Sequence, residues 1–217
     1  MVIDRAELIK ALRLESAEPA FNMVPAPPYS PFRAPYARLN RADRRIVAEA
    51  LLLDIDPSRI PPLRLVYPVG QIHQAIVEFV AKAWRELGFK VDLIGLSESA
   101  HEQALRDGDF DAAVAIAWQQ AATPESTLNS YGQAAGPWNA TRYRELMFDQ
   151  SLTNADIEIA PEFYTGLLRQ AEGVLIEDQV AWPLLFYPAN VMAKAKYSGL
   201  SPNAAHIHLL RYLAPPL

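Results

Sequence analysis

The chain predicts an α/β fold, a mixed or parallel sheet with a βαβ core flanked by helices, and three features between Leu63 and Gln120 carry that expectation. Leu63, Leu65 and Tyr67 alternate with Arg64 and Val66, the period of a short strand. From Gln71 the spacing turns helical: Ile72, Ile76, Phe79, Val80, Ala83, Trp84 and Leu87 form one wide stripe, and Gly88 stands where a helix ends. Phe89, Val91, Leu93 and Gly95 then restore the period of two. Ser97 is placed to cap a helix running through Arg106, and Asp107-Gly108-Asp109 turns the chain into an apolar run from Phe110 to Trp118. A run of that kind suits a strand buried on both faces. Parallel strands joined by helices bind ligands beyond their carboxyl ends, which directs attention to the loop that opens at Trp118.

Around this block the remaining elements follow from local signals. Asp4 and Glu7 have capping-box spacing before Leu8, Ile9 and Leu12, so a helix spans residues 5–14. Pro19 to Pro35 holds enough prolines to remove backbone donors and fix φ, giving an extended loop laid over the domain. Asn40 caps a helix carrying Ile46, Val47, Ala50 and Leu51, and the Arg41, Arg44 and Arg45 cluster on it reads as a solvated face. Later helices are expected over 124–131, 142–152 and 161–177, the last with Phe163, Leu167, Leu168, Ala171, Val174 and Leu175 at helical spacing. Trp182 to Tyr187, Val191 to Lys196 and His206 to Tyr212 are strand-like.

Composition narrows the function classes. With 217 residues, half of them apolar, the chain has material for a substantial core, in one large domain or two small ones. A net charge of −5, from 20 basic and 25 acidic residues interspersed, gives no nucleic-acid footprint. There are no cysteines, which removes disulfides, thiolate zinc sites and cysteine nucleophiles. No stretch approaches a membrane span, and Met1-Val2-Ile3-Asp4-Arg5 lacks the charged and apolar regions of a secretory leader. A cytoplasmic protein and a piece of a longer secreted one are both compatible with that start.

No catalytic or metal-binding set emerges. His206 and His208 share one strand face, yet two ligands do not make a metal site. His73 and His101 fall on helices and are expected to be structural, and Asp109 and Asp111 flank a turn where aspartate is favoured anyway. No serine stands in a nucleophile elbow, and glycine-rich phosphate loops are missing. No cofactor is called for. Trp118 is different, because an indole at the end of a buried strand stands where a cleft opens, and Gln119 and Gln120 beside it both donate and accept. Trp138, Asn139 and Tyr143 form a second candidate loop.

A resemblance joins these pieces. Ile3-Asp4-Arg5-Ala6-Glu7-Leu8, Ala17-Glu18-Pro19-Ala20, Val24-Pro25 and Ala48-Glu49-Ala50-Leu51-Leu52 come first. Trp84 through Leu93, Gly108-Asp109-Phe110-Asp111 and Trp118 with Pro124 and Leu128 follow. Tyr143 with Phe148-Asp149, then Ala171-Glu172 with Leu175, Asp178 and Trp182-Pro183-Leu184, complete an ordered series. The series resembles the C-terminal part of the peptide and oligopeptide (family 5) solute-binding proteins that serve ABC importers. That resemblance implies a type II periplasmic-binding-protein-like lobe over 1–188, hinge and return strands over 189–217, and an N-terminal lobe and secretion signal outside this chain. It further implies a small solute or peptide as ligand, ABC permease subunits as partners of the full-length protein, a periplasmic or extracytoplasmic location, and no catalysis. Trp118, Gln119, Gln120, Trp138, Asn139 and Tyr143 are then the expected ligand contacts. Peptide binders of the family place an aspartate shortly after the tryptophan to pair with the ligand's free amine, whereas Gln119 to Thr123 hold no acid, so ligand identity stays open. The rival reading is a cytoplasmic interaction or regulatory module that uses the same lobe.

Overall fold

The computed structural model describes residues 1–24, 32–116 and 124–187. Its centre is a three-stranded parallel sheet of β2 (Leu63–Pro68), β3 (Val91–Leu96) and β4 (Ala112–Ala113) in the order β3-β2-β4. β2 pairs with β3 from Leu63 opposite Val91 to Pro68 opposite Leu96, and with β4 at Leu65 opposite Ala112 and Val66 opposite Ala113. α3 (Gln71–Arg85) and α4 (Glu98–Asp107) make the crossovers that parallel pairing requires. Leu65, Val77, Val80, Ala81 and Val91 pack together beneath them with Ile3. The α/β class and the strand-helix alternation read from the sequence are both present.

Three local caps hold as spaced. Asp4 accepts from the Glu7 backbone N–H at the start of α1 (Arg5–Ala11), Asn40 from Asp43 at the start of α2 (Arg41–Leu51), and Ser97 from Ala100 at the start of α4. Gly108 ends α4 in the left-handed conformation, φ 71°, where a side chain would also run into the Arg142 guanidinium.

A second core lies among helices. α5 (Pro124–Leu128), α6 (Leu146–Ile157) and α7 (Pro161–Glu177) bury Leu128, Phe148, Leu152, Leu168, Ala171 and Leu175. β1 (Glu18–Pro19) pairs antiparallel with β5 (Leu185–Phe186), bringing the beginning of the chain to residues that follow α7. Trp84 meets Trp182 edge to face at 5.6 Å, so α3 rests against that same segment. The fully buried Arg5 fastens the junction: its Nε donates to the Pro183 carbonyl at 2.8 Å while its guanidinium lies 4.6 Å from the Phe21 ring.

Several expectations require correction. Among the described residues the run from Phe110 contributes Ala112 and Ala113 to the sheet, and Ala115 and Ile116 are exposed rather than buried, because the pairing with β2 stops after Val66. α2 turns Ala48 inward, with Arg44 stacked 5.8 Å from Phe21, which leaves Ile46 and Leu51 in solvent. Arg44 is therefore not part of a solvated face, since its Nε and Nη1 are buried, whereas Arg45 does stay outside and pairs with Glu49. α3 buries Val77, Val80 and Ala81 most deeply, a stripe rotated from the expected one. α6 begins at Leu146 rather than near 142, since Arg142 adopts φ 54° and Glu145 caps the helix by accepting from Met147 N–H. Phe163, expected inside, is exposed. The strand-like runs at 191–196 and 206–212, with His206 and His208, lie outside the described residues, as does the 189–217 unit.

Candidate functional site

Because all three sheet strands run the same way, they finish at one edge, where Pro68, Leu96 and Ala113 open into loops. α3 and α4 start at that edge, so their free N–H ends face the same side. Ser97 uses its hydroxyl to cap α4, whereas α3 has no side-chain cap at Gly70. Tyr67 reaches across to β3 because position 95 is glycine: a Cβ there would lie 3.1 Å from the Tyr67 Oη. Beyond the strand ends, Val69 and Ile116 are 62% and 53% exposed.

His73 and His101 occupy the opening turns of α3 and α4 at this edge. His101 is nearly sealed, and Nε2 of each imidazole is buried without a hydrogen-bond partner among the described residues. Burial pulls the His101 pKa down, a hydrogen bond to the Val114 backbone opposes this, and His73 adds repulsion, so the net effect disfavours the charged ring. The centre of the edge thus combines two imidazoles whose Nε2 atoms are buried with the exposed side chains of Val69 and Ile116. Among the described residues it offers packing surface and backbone donors, and no nucleophile paired with a base. No set of three or more His, Asp or Glu residues is placed to hold a metal among the described residues, and no helix there is long and apolar enough to cross a membrane.

Trp118, Gln119 and Gln120 follow β4 and lie outside the described residues. The second candidate loop is described. Trp138 is 75% exposed at the end of a 3-10 turn, Gln133–Trp138. Asn139 is buried and committed: its Nδ2 donates to the carbonyls of Tyr131 at 2.9 Å and Tyr143 at 3.0 Å, and its Oδ1 accepts from the Thr141 hydroxyl at 2.7 Å. Tyr143 stacks edge to face on Phe148 at 5.5 Å and donates its hydroxyl to Asp178 at 2.6 Å. Burial first, and then that carboxylate, push its pKa well above the ordinary tyrosine range. Arg142 in the same loop donates to the Asp107 carbonyl at the end of α4, which is the amino edge of the sheet, opposite the edge where β4 ends.

One buried residue escaped a functional or structural assignment of its own in the sequence. Glu172 on α7 is fully buried, and its carboxylate accepts from Met23 N–H at 2.7 Å, Val24 N–H at 3.0 Å and Phe32 N–H at 2.7 Å. It therefore clasps both ends of the proline loop. An acid between Ala171 and Leu175 in a buried stripe was the available signal.

Comparison with known proteins places this geometry. No curated protein matches the chain. Among solved structures it superposes on the Escherichia coli murein tripeptide binding protein MppA with TM-score 0.82 and 22% identity, covering 91% of this chain and 40% of that one. It matches a periplasmic oligopeptide-binding protein of Borrelia burgdorferi, OppAIV, with TM-score 0.81 and 23% identity over 99% of this chain and 43% of that one. Haemophilus influenzae OppA, solved in complex with RPPGFSPFR, gives TM-score 0.81 and 19% identity over the same shares, 99% and 43%. At these identities the likeness is one of fold, and the chain spans about two fifths of each of those structures. The sequence model of the bacterial extracellular solute-binding proteins, family 5, middle region, matches residues 1–139, well over half of the chain. By that match the chain belongs to the bacterial extracellular solute-binding proteins of family 5.

Proposed function

We propose that residues 1–188 are the C-terminal ligand-binding lobe of an ABC importer's extracytoplasmic solute-binding protein, and that residues 189–217 return towards a second lobe. The lobe catalyses nothing. Solute, a peptide or another small molecule, bridges the two lobes and stabilises the closed arrangement through contacts that the open one lacks. The permease receives the closed form. The observation that carries this reading is the carboxyl edge of the sheet, where Val69 and Ile116 are exposed and Ile116 is followed in sequence by Trp118, Gln119 and Gln120. Trp118 supplies packing, and the two glutamines supply donors and acceptors for a peptide backbone or a polar solute. Trp138 and Tyr143 form a second contact loop, with Asn139 as the internal brace that holds it. The membership in family 5 and the peptide ligands named for MppA and OppA support a peptide or similar solute. The acid-free stretch from Gln119 to Thr123 disfavours a free amine docking beside Trp118.

Amide chemical-shift mapping of the 217-residue chain tests the assignment, using a tripeptide and a nonapeptide as probes. Weak, saturable changes centred on Val69, His101 and Ile116, abolished by Trp118→Ala, are expected. Changes confined to other surfaces would overturn the site. Nanomolar to low-micromolar affinity would overturn the half-site reading, since one lobe then suffices.

A further inference from the structure

The turn between α6 and α7 presents apolar surface that neither core uses. Ile157 is 78% exposed, Ile159 95% and Phe163 64%, three large apolar side chains within seven residues. Single exposed hydrophobes are ordinary on a protein surface, but a cluster of them marks an interaction site. Ile157 and Phe163 border a groove of about 540 Å³ between the helices, lined also by Asn154, Leu167 and Gln170, with Ile159 exposed on the turn nearby in sequence. Gly166 forms its open side: a Cβ built there meets nothing within 4 Å. A glycine in the interior of a helix weakens it, so the space it leaves is maintained against local preference.

Charge indicates the occupant. Residues 145–168 contain Glu145, Asp149, Asp156, Glu158 and Glu162 and no lysine, arginine or histidine. Asp156, Glu158 and Glu162 stand at the turn itself, around the apolar residues. A second copy docking through the same patch would bring like charge against like, and an anionic membrane or a nucleic acid would be repelled in the same way.

We propose that the tip of the α6–α7 hairpin is a docking surface for a partner protein, which inserts an apolar side chain between Ile157 and Phe163 and meets the acidic rim with lysine or arginine. Packing in the groove provides the contact area, and the surrounding carboxylates orient the partner and speed its approach. The inference does not depend on the solute reading, because the residues it uses are remote in sequence from β2, β3 and β4.

The test is fluorescence anisotropy with a labelled synthetic peptide, Lys-Arg-Leu-Phe-Lys-Arg, against its charge-reversed analogue Glu-Asp-Leu-Phe-Glu-Asp. The basic peptide is expected to bind at least roughly tenfold more tightly, and to lose about tenfold when ionic strength rises from low to high. Gly166→Leu fills the groove while favouring the helix, so it should weaken binding by about tenfold without lowering the melting temperature. Ile159→Ser with Phe163→Ser should abolish it. Equal affinity for the two peptides, or unaltered binding by the Gly166→Leu protein, would overturn the proposal. So would sedimentation showing that the patch is buried in a dimer which Ile159→Ser dissociates.

Discussion

The sheet unit and the helical unit of this chain both enclose an apolar core, and they differ in which apolar residues they leave outside it. In the helical unit, Leu128, Phe148, Leu168, Ala171 and Leu175 have no solvent exposure at all, and Glu172 ties the proline loop down onto them. The sheet unit buries Leu65, Val66 and Val77 but then releases Val69 and Ile116 into solvent at the strand ends. Stability is thus concentrated where side chains are enclosed, while each unit keeps apolar residues outside its core, the sheet unit at its strand ends and the helical unit at Ile157, Ile159 and Phe163. The contrast matches a protein whose framework must hold still while one edge remains available.

The comparison breaks most readily at its most enclosed point. Phe148→Ala should cost about 4 kcal/mol, from lost burial and the cavity left between α6 and α7, measured by urea unfolding. Glu172→Ala removes the acceptor of three backbone N–H groups and should cost about 3 kcal/mol, with protease cleavage newly appearing near Val24 and Phe32. A fall in stability under 1 kcal/mol for either would mean that the helical unit is not the anchor.

Acid sharpens the distinction at the sheet edge. His101 has a folded pKa below its ordinary value of 6.5, so the fold favours the neutral ring. That contribution is complete above about 6.5 and is lost as pH falls through the lowered folded pKa. The urea midpoint should therefore decline on acidification, with amide exchange rising first around Val114, and His101→Leu should flatten the decline. A pH response identical in wild type and variant would show that His101 is not the group being titrated. The smallest effect belongs to the exposed rim: Ile116→Ser should alter stability by less than about 0.5 kcal/mol. A larger loss would show that the carboxyl edge is covered after all.

Much of this architecture could be read along the chain, and the failures share a cause. Asp4, Asn40 and Ser97 cap the helices they precede because a cap needs only a side-chain oxygen and the next turn's N–H groups. Burial is another matter. Ile46, Leu51 and Phe163 sit at helical spacing yet face water, since whether a stripe is covered depends on what is packed opposite it. Asn139 looked like a ligand contact because it is polar and sits in a loop. Its actual partners, the carbonyls of Tyr131 and Tyr143, come from loop geometry that spacing does not encode.

By itself the sequence determined the alternation of strand and helix, the capped starts of α1, α2 and α4, and the turn at Gly108, all of which are settled by backbone preferences and neighbours within a few residues. The tertiary structure alone decided that Glu172 would hold the proline loop, that β4 would stop after two residues, and that Val69 and Ile116 would be exposed while His101 is buried. Those outcomes depend on contacts between residues as much as 149 positions apart, where the free energy of a side chain is set by its distant neighbours rather than by its own type.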